Sequence, residues 1–309
     1  RARYIKKGNQ HFLQERSIKY QFVKNHESKF PIEKMCSILK ISSIGYYKWK
    51  KRSISKKALK KNKLKQKIKT LYFEFKQRYG SPRITAELQA LGYRISRVTV
   101  AKYMKELGLK SKLSRKFKVT TNSKHNYLIA ENVLDRDFKA TRISQKWVSD
   151  ITYIQTKDGF VYLTTIIDLY DRKLIGWSLS NTMSADDTSL AAFRMAIKNR
   201  PIEKGLIFHS DQGVQYATKK FTNILASYGV IRSMSRKGNC WDNAVAESFF
   251  KSLKTELIYG NKLIFRKQME SEIFQYIEIW YNRKRRHSSL NYKTIEEFNN
   301  LNNVYKNVA

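Results

Sequence analysis

"QKWVSDITYIQT" (145–156), followed two residues later by "GFVYLTTIIDLYDRKLIGWSLS" (159–180), is the stretch on which the fold turns. β-Branched and aromatic residues crowd both segments, which is the composition of strands. The first segment reads as one strand, and the second as two strands joined near Tyr170-Asp171, a hairpin. Downstream the pattern changes. "ADDTSLAAFRMAIKNR" (185–200) is helical, "GLIFHSD" (205–211) is a short buried strand ending in an acid, and "VQYATKKFTNILASYGV" (214–230) is helical again. "IRSMS" (231–235) is a brief strand, a long helix starts at about 241, and one more amphipathic helix over 264–282 leads into "YNRKRRHSSLNY". Strands that pair first and then alternate with helices predict a mixed sheet covered by helices.

Upstream of that core the chain is far more basic. Residues 1–140 carry 37 Lys+Arg against 9 Asp+Glu, whereas residues 141–309 carry 25 against 16. A net charge of +37 calls for a polyanionic partner; nucleic acid leads and an anionic membrane is the weaker alternative. "FPIEKMCSILKISSIGYYKWKKR" (30–52) reads as two short helices, with Ser42 and Ser43 as candidate N-caps. In the lysine-rich stretch 55–77, Leu64, Ile68, Leu71 and Phe75 form one apolar stripe, read as a basic helix that either touches DNA or is a solvated linker. Over 79–112, Pro82 starts a helix with Ile84 and Leu88 inside. Ser96 caps a second, with Val100, Tyr103, Met104 and Leu107 inside, which Gly108 stops. Such a pair, presenting Arg97, Thr99 and Lys102, has the shape of a helix-turn-helix. "KSKLSRKFKVTTNSKHN" (110–126) has no clear period and reads as a linker.

Several classes are excluded. Cys36 and Cys240 lie far apart and the five histidines are scattered, so a structural zinc site is not expected. No signal peptide and no run of about 20 apolar residues is present, so an intracellular protein is expected. The chain opens on Arg1, as expected of a piece of something longer.

Three acids stand out by position. Asp150 lies within the first strand, Asp211 follows a buried strand directly, and Glu247 lies on the helix after the last strand, with 35 residues between it and Asp211. Strand ends of such a sheet are where ligand sites form, and a few carboxylates beside phosphate oxygens suit a hard cation such as Mg²⁺. Asn243, Glu247, Lys251 and Lys254 share one face of that helix, opposite Val245, Phe249 and Leu253. The bland reading makes Glu247 a surface acid with lysine partners. In the sharper one it turns towards the two aspartates and Lys254 reaches a phosphate. His209 either touches a phosphate or holds a strand end, and Asp168 is a core or hairpin residue or a partner behind the ligands. "NRKRRH" (282–287), with Arg283, Arg285, Arg286 and His287, is most simply a phosphate clamp, with a solvated charge run as the alternative.

"WVSDITYI", "YLTTIIDLYDRKLIGWSLS", "HSDQGVQY", "SMSRKGNCWDNAVAESFFKSLKTE" and "YNRKRRHSSLNY", in this order, closely resemble the DDE transposases of bacterial insertion sequences. The nearest group is the IS-three family, whose core is related to retroviral integrases. The resemblance runs from about residue 30 to 298. It implies an α+β multidomain chain: N-terminal all-α helix-turn-helix segments, a ribonuclease-H-like mixed α/β core and a helical C-terminal region. The expected boundaries are 1–54, 55–78, 79–112, 113–142, 143–258 and 259–309. It further implies a catalytic and metal-binding triad of Asp150, Asp211 and Glu247, with two Mg²⁺ ions for which Mn²⁺ substitutes. Lys251, Lys254, Arg83, Arg97, Lys102 and the 283–287 cluster are the expected DNA contacts, with His209 and Asn243 nearby. The expected partners are double-stranded DNA (terminal inverted repeats and target) and further copies of the chain, in the bacterial cytoplasm at the nucleoid. A transposase-derived DNA-binding regulator and a structure-specific nuclease are the rival readings.

Overall fold

A computed structural model describes residues 15–51, 55–112 and 128–308. The chain divides into two compact units, the first ending at Lys67 and the second beginning at Ile68.

In the first unit α1 (Arg16–His26), α2 (Ile32–Ile38) and α3 (Ser43–Lys50) enclose Val23, Met35, Cys36, Leu39 and Tyr46. The two helices expected over 30–52 are present, preceded by a third. Pro31 sets the entry to α2, and the Ser42 hydroxyl caps α3 by accepting from the Gly45 amide at 3.2 Å. Helix α4 (Lys56–Glu74) follows. Its buried residues are Ile68, Leu71 and Tyr72; Leu64 and Phe75 are only half-buried.

In the second unit α5 (Ser81–Ala90) and α6 (Arg97–Glu106) form the expected pair around Ile84, Leu88, Val100 and Met104. Gly92 (φ +84°) makes the turn, and the Ser96 hydroxyl accepts from the Thr99 amide. The pair docks on the C-terminal segment. Arg286 bridges Glu87 and Glu297, each at 2.8 Å, and Tyr79 packs against Trp280.

The core is one five-stranded sheet in the order β3-β2-β1-β4-β5: β1 (Lys146–Thr156), β2 (Gly159–Asp168), β3 (Leu174–Ser180), β4 (Ile207–Ser210) and β5 (Ile231–Met234). The first three run antiparallel, and β4 and β5 lie parallel to β1. Helix α7 (Ala191–Asn199) crosses β3 at Gly176, where a Cβ would meet the Ala192 carbonyl at 2.3 Å. Only glycine permits that approach. The expected helix over 214–230 is instead two, α8 (Val214–Ala217) and α9 (Lys219–Ser227). Thr218 is extended (ψ 141°) and its hydroxyl caps α9 by accepting from the Phe221 amide, so a cap splits what apolar spacing joins. Trp147, Phe193, Phe208, Tyr216 and Phe221 fill the space between these helices and the sheet.

The linker expected over 110–126 lies largely outside the described residues. The described stretch 128–142 is pinned to β5, with the Leu134 amide donating to the Ser233 hydroxyl at 3.0 Å.

A tight turn over Cys240–Asn243 leads into α10 (Ala244–Leu253), which packs on β1 and β2 through Ala246, Phe249, Phe250 and Leu253 and widens into a π-helical turn over Lys254–Ile258. Helix α11 (Arg266–Phe274) continues as wide turns to Lys284, and α12 (Ile295–Val308) ends the chain's regular structure.

The clamp expected at 282–287 is corrected here. The chain turns inward after Lys284, and Arg285, Arg286 and His287 are buried. Arg285 is locked on Glu256 at 2.8 Å, beneath the Trp280 and Tyr276 donors that share the same carboxylate. Burial and the Arg285 charge depress His287 to about 3, so it is neutral, facing the Tyr281 carbonyl. Only Arg283, with Lys284, remains exposed. Acids 11 to 199 residues away in sequence draw Arg285 and Arg286 in.

Candidate active site

Parallel pairing of β1 with β4 sets Trp147 opposite Phe208 and Val148 opposite His209. Extending that register by two residues brings Asp150 abreast of Asp211, on strands separated by about 4.8 Å. Each carboxylate is oriented by a nearby backbone amide: Asp150 Oδ1 accepts from Ile151 at 2.8 Å, and Asp211 Oδ1 from Gly213 at 3.0 Å. Asp150 keeps part of its surface open but is densely surrounded by protein. Burial first, then repulsion from Asp211, holds its carboxyl well above the usual range, with Glu247 adding to the effect. Beneath them Tyr216 is kept in its neutral form by burial and by both aspartates, and shares a 2.7 Å hydrogen bond with Ser149.

Asn243 fastens the start of α10 to this strand. Its Nδ2 donates to the Ser149 carbonyl at 2.9 Å, one residue from Asp150. Glu247 follows one turn on, exposed, its carboxyl raised by partial desolvation. Among the described residues no three His, Cys, Asp or Glu side chains stand close enough together to hold a metal ion. The structure therefore brings two of the three expected acids side by side, and Glu247 stands apart within electrostatic range of Asp150.

Lys254 departs from the face it was expected to share with Glu247 and Lys251. It is 8 % exposed, with its ammonium over the Tyr153 ring at 5.2 Å, because the π-helical turn rotates it inward. Burial lowers its pKa and the Asp150 charge partly restores it. Lys251 is exposed on α10, as are Arg97 and Lys102 on α6, while Arg83 is half-buried and donates from Nε to the Arg286 carbonyl at 2.9 Å.

His209 fills the strand-end role. It is fully buried between the Ser233 and Ser235 hydroxyls, and burial lowers it to about 4, so the phosphate contact is not made. Asp168 is a core residue: it accepts from the Ser144 amide, Trp147 and Arg200, far from solvent. Sequence reasoning missed Asp242. Its buried carboxylate gathers Arg236, Arg136 and Asn132 and is held far below the usual range, chiefly by the Arg236 hydrogen bond, fastening the loop between β5 and α10. Only the nearby Arg236 could have signalled it.

The integrase core domain model matches residues 140–240, and a second integrase core model matches 228–294; an HTH-like domain model matches 60–117. "Transposase InsF for insertion sequence IS3A" of Escherichia coli K12 is 40 % identical over 287 residues, covering 92 % of this chain and 99 % of that protein. The "Insertion element IS600 uncharacterized 31 kDa protein" of Shigella sonnei is 40 % identical over 256 residues, 83 % of this chain and 94 % of its own. The HTLV-2 integrase catalytic core, solved in complex with magnesium, aligns with 52 % of this chain and 99 % of its own, at 15 % identity and a TM-score of 0.39. With a relative 40 % identical over nearly its full length, and with HTH-like and integrase core domains in this chain, the chain belongs to the IS3 (IS-three) family of insertion-sequence transposases.

Proposed function

We propose that Asp150, Asp211 and Glu247 are the catalytic carboxylates of this transposase, and that they act on the ends of its element with Mg²⁺. The observation that carries the reading is the Asp150–Asp211 pair at adjacent parallel strands, where burial and the Asp211 charge raise the Asp150 carboxyl. The donor set fits a hard cation, since it offers carboxylate oxygens without sulfur or imidazole nitrogen. Asp150 and Asp211 would hold the metal from the strands, and Glu247 would join them when α10 and the DNA close together. Two Mg²⁺ ions, when bound, would activate the attacking oxygen and stabilise the leaving one, and Mn²⁺ would serve in their place.

The protein's own groups supply the rest. Asn243 holds the α10 start against β1, one turn before Glu247. Lys254, within electrostatic range of Asp150, would contact a phosphate near the scissile bond. Water, and then a DNA 3′-hydroxyl, attacks the phosphodiester in line without a covalent protein–DNA intermediate. Arg97 and Lys102 on α6 face the duplex, with Lys251, Arg83 and Arg283 as further DNA contacts. Two ends must be brought together, so the working form is a dimer or larger, acting in the bacterial cytoplasm at the nucleoid. Among the described residues no helix is long and apolar enough to cross a membrane.

Incubating the protein with labelled element ends and Mg²⁺ tests the reading. Joined product is expected; cut product alone would indicate a nuclease, and bound DNA alone a regulator.

Gly213 gives a finer check. A Cβ there would sit 2.9 Å from Asp211 Oδ1, while its backbone (φ −62°) suits any residue. Gly213→Ala is expected to displace the Asp211 carboxylate by a fraction of an ångström and to slow joining roughly 10- to 100-fold. Its melting temperature and end affinity should match wild type. Wild-type turnover by this variant would mean that the position of Asp211 does not limit the chemistry.

A further inference from the structure

A cleft of about 460 Å³ lies between α5, the α10 helix and the chain around Arg285. Arg78, Arg83 and Lys112 line it from the helix-turn-helix side. Lys251, Ser252 and Thr255 line the α10 side. Five cations, with Arg285, face one carboxylate, Glu256, which Arg285 already engages. Arg78, Arg83 and Lys112 are held in place by contacts that do not neutralise them. Arg78 stacks over Trp280 with its carbon 4.8 Å from the ring centre, and its buried Nε has no hydrogen-bond partner among the described residues. Arg83 lies over Tyr79 and donates to a carbonyl, and Lys112 reaches the Glu256 carbonyl, at 3.4 Å. Desolvation lowers the pKa of both; a neighbouring cation adds to it, Arg285 for Arg83 and Arg78 for Lys112. The Thr255 hydroxyl on the cleft wall, a residue 9 % exposed, also makes no hydrogen bond among the described residues. At the other wall the ten-residue α5 begins at Gly80 with no side-chain cap, leaving its first amides for an acceptor.

We propose that this cleft binds a backbone phosphate of the DNA strand whose reacting end lies at Glu247. The proposal rests on the assignment of Glu247 to the active site. A DNA strand, rather than a free anion, is favoured because the cleft continues the exposed face of α10 that carries Glu247, Ser248 and Lys251. Lys251 and Thr255 lie four and eight residues past Glu247, about 6 and 12 Å along a helix. At a rise of about 3.4 Å per nucleotide, the phosphate held is roughly two to four nucleotides from the reacting one. The site would tie the helix-turn-helix to the catalytic helix through the substrate itself.

Binding of element ends carrying single methylphosphonates, which remove one phosphate charge each, tests this without any chemistry. It therefore reads the cleft independently of the triad, which cleavage assays on the same proteins report separately. Neutralising one phosphate two to four nucleotides from the reacting one is expected to weaken wild-type binding about tenfold. The same change should cost Lys112→Met less than wild type, since that protein has already lost one of the cations that hold the phosphate. Ser248→Asp, an exposed change at the cleft rim, should behave likewise should Lys112→Met melt below wild type. Equal losses in wild type and variants, or no sensitive position in that window, would overturn the proposal. So would stabilisation of wild type by inorganic phosphate with no position-dependent effect in DNA, which would make the cleft a small-anion site.

Discussion

Asp150→Asn and Asp211→Asn should each slow cleavage and joining by about 1,000-fold or more, while element ends still bind. The amide keeps the size of the carboxylate and removes the charge that would offset a divalent cation. It also removes one of two carboxylates that repel each other across adjacent strands. Folding should therefore be unharmed, with a melting temperature equal to or above wild type. End affinity should be equal or higher, because a negative charge near phosphate is gone. Gel-shift and single-turnover measurements on the same preparations check both parts. A variant that lost binding together with chemistry would mean that these aspartates organise the fold and not the reaction.

The second large effect lies elsewhere in the same domain and has the opposite signature. Arg200→Met should destabilise the second unit by about 3–5 kcal/mol. Arg200 donates to Asp168 and to Asp171 at 2.7 Å each, and both acids are fully buried. Removing the guanidinium leaves two carboxylates without their main counter-charge. The fall in melting temperature should be on the order of 10 °C for a unit of this size. Residual soluble protein should join ends at a rate close to wild type, because the network lies at the hairpin between β2 and β3 and not at Asp150. The pH dependence has a fixed sign. Burial raises the Asp171 carboxyl, but the Arg200 hydrogen bond and charge, with Asn299, bring it below its ordinary value. Its contribution is thus present above the unfolded pKa, about 4, and is lost as pH falls through the lower folded value. Thermal melts of wild type and Arg200→Met between pH 7 and pH 3 should converge at the acid end.

Elements with a clear period were legible in the sequence. β1 and the β2–β3 hairpin occupy the segments their composition marks, and α5 and α6 begin and end at the proline, serine and glycine signals. That Asp150 and Asp211 belong to one site came from the family resemblance; the parallel pairing of β1 with β4 that sets them abreast was not read from the residues. What stayed hidden depends on partners distant in sequence. Arg285 and Arg286 look like a surface clamp until Glu256, Glu87 and Glu297 are folded beside them. Lys254 falls on the face of Glu247 at ideal helical spacing, and the π-helical turn that buries it leaves no mark in a residue pattern. Thr218 splits a helix because a local cap outweighs the apolar period. Asp242, which fastens the loop before α10, sits beside Glu247 in sequence and took no part in the motif reading.

Glu247 is where the account is most exposed, because it alone of the three acids stands on a solvent-facing helix surface. The most direct test is single-turnover joining of labelled element ends by Glu247→Gln in Mg²⁺, with end binding measured alongside. The account predicts wild-type binding with joining reduced by about 1,000-fold or more. Joining at the wild-type rate would contradict it and return Glu247 to the surface of an ordinary amphipathic helix.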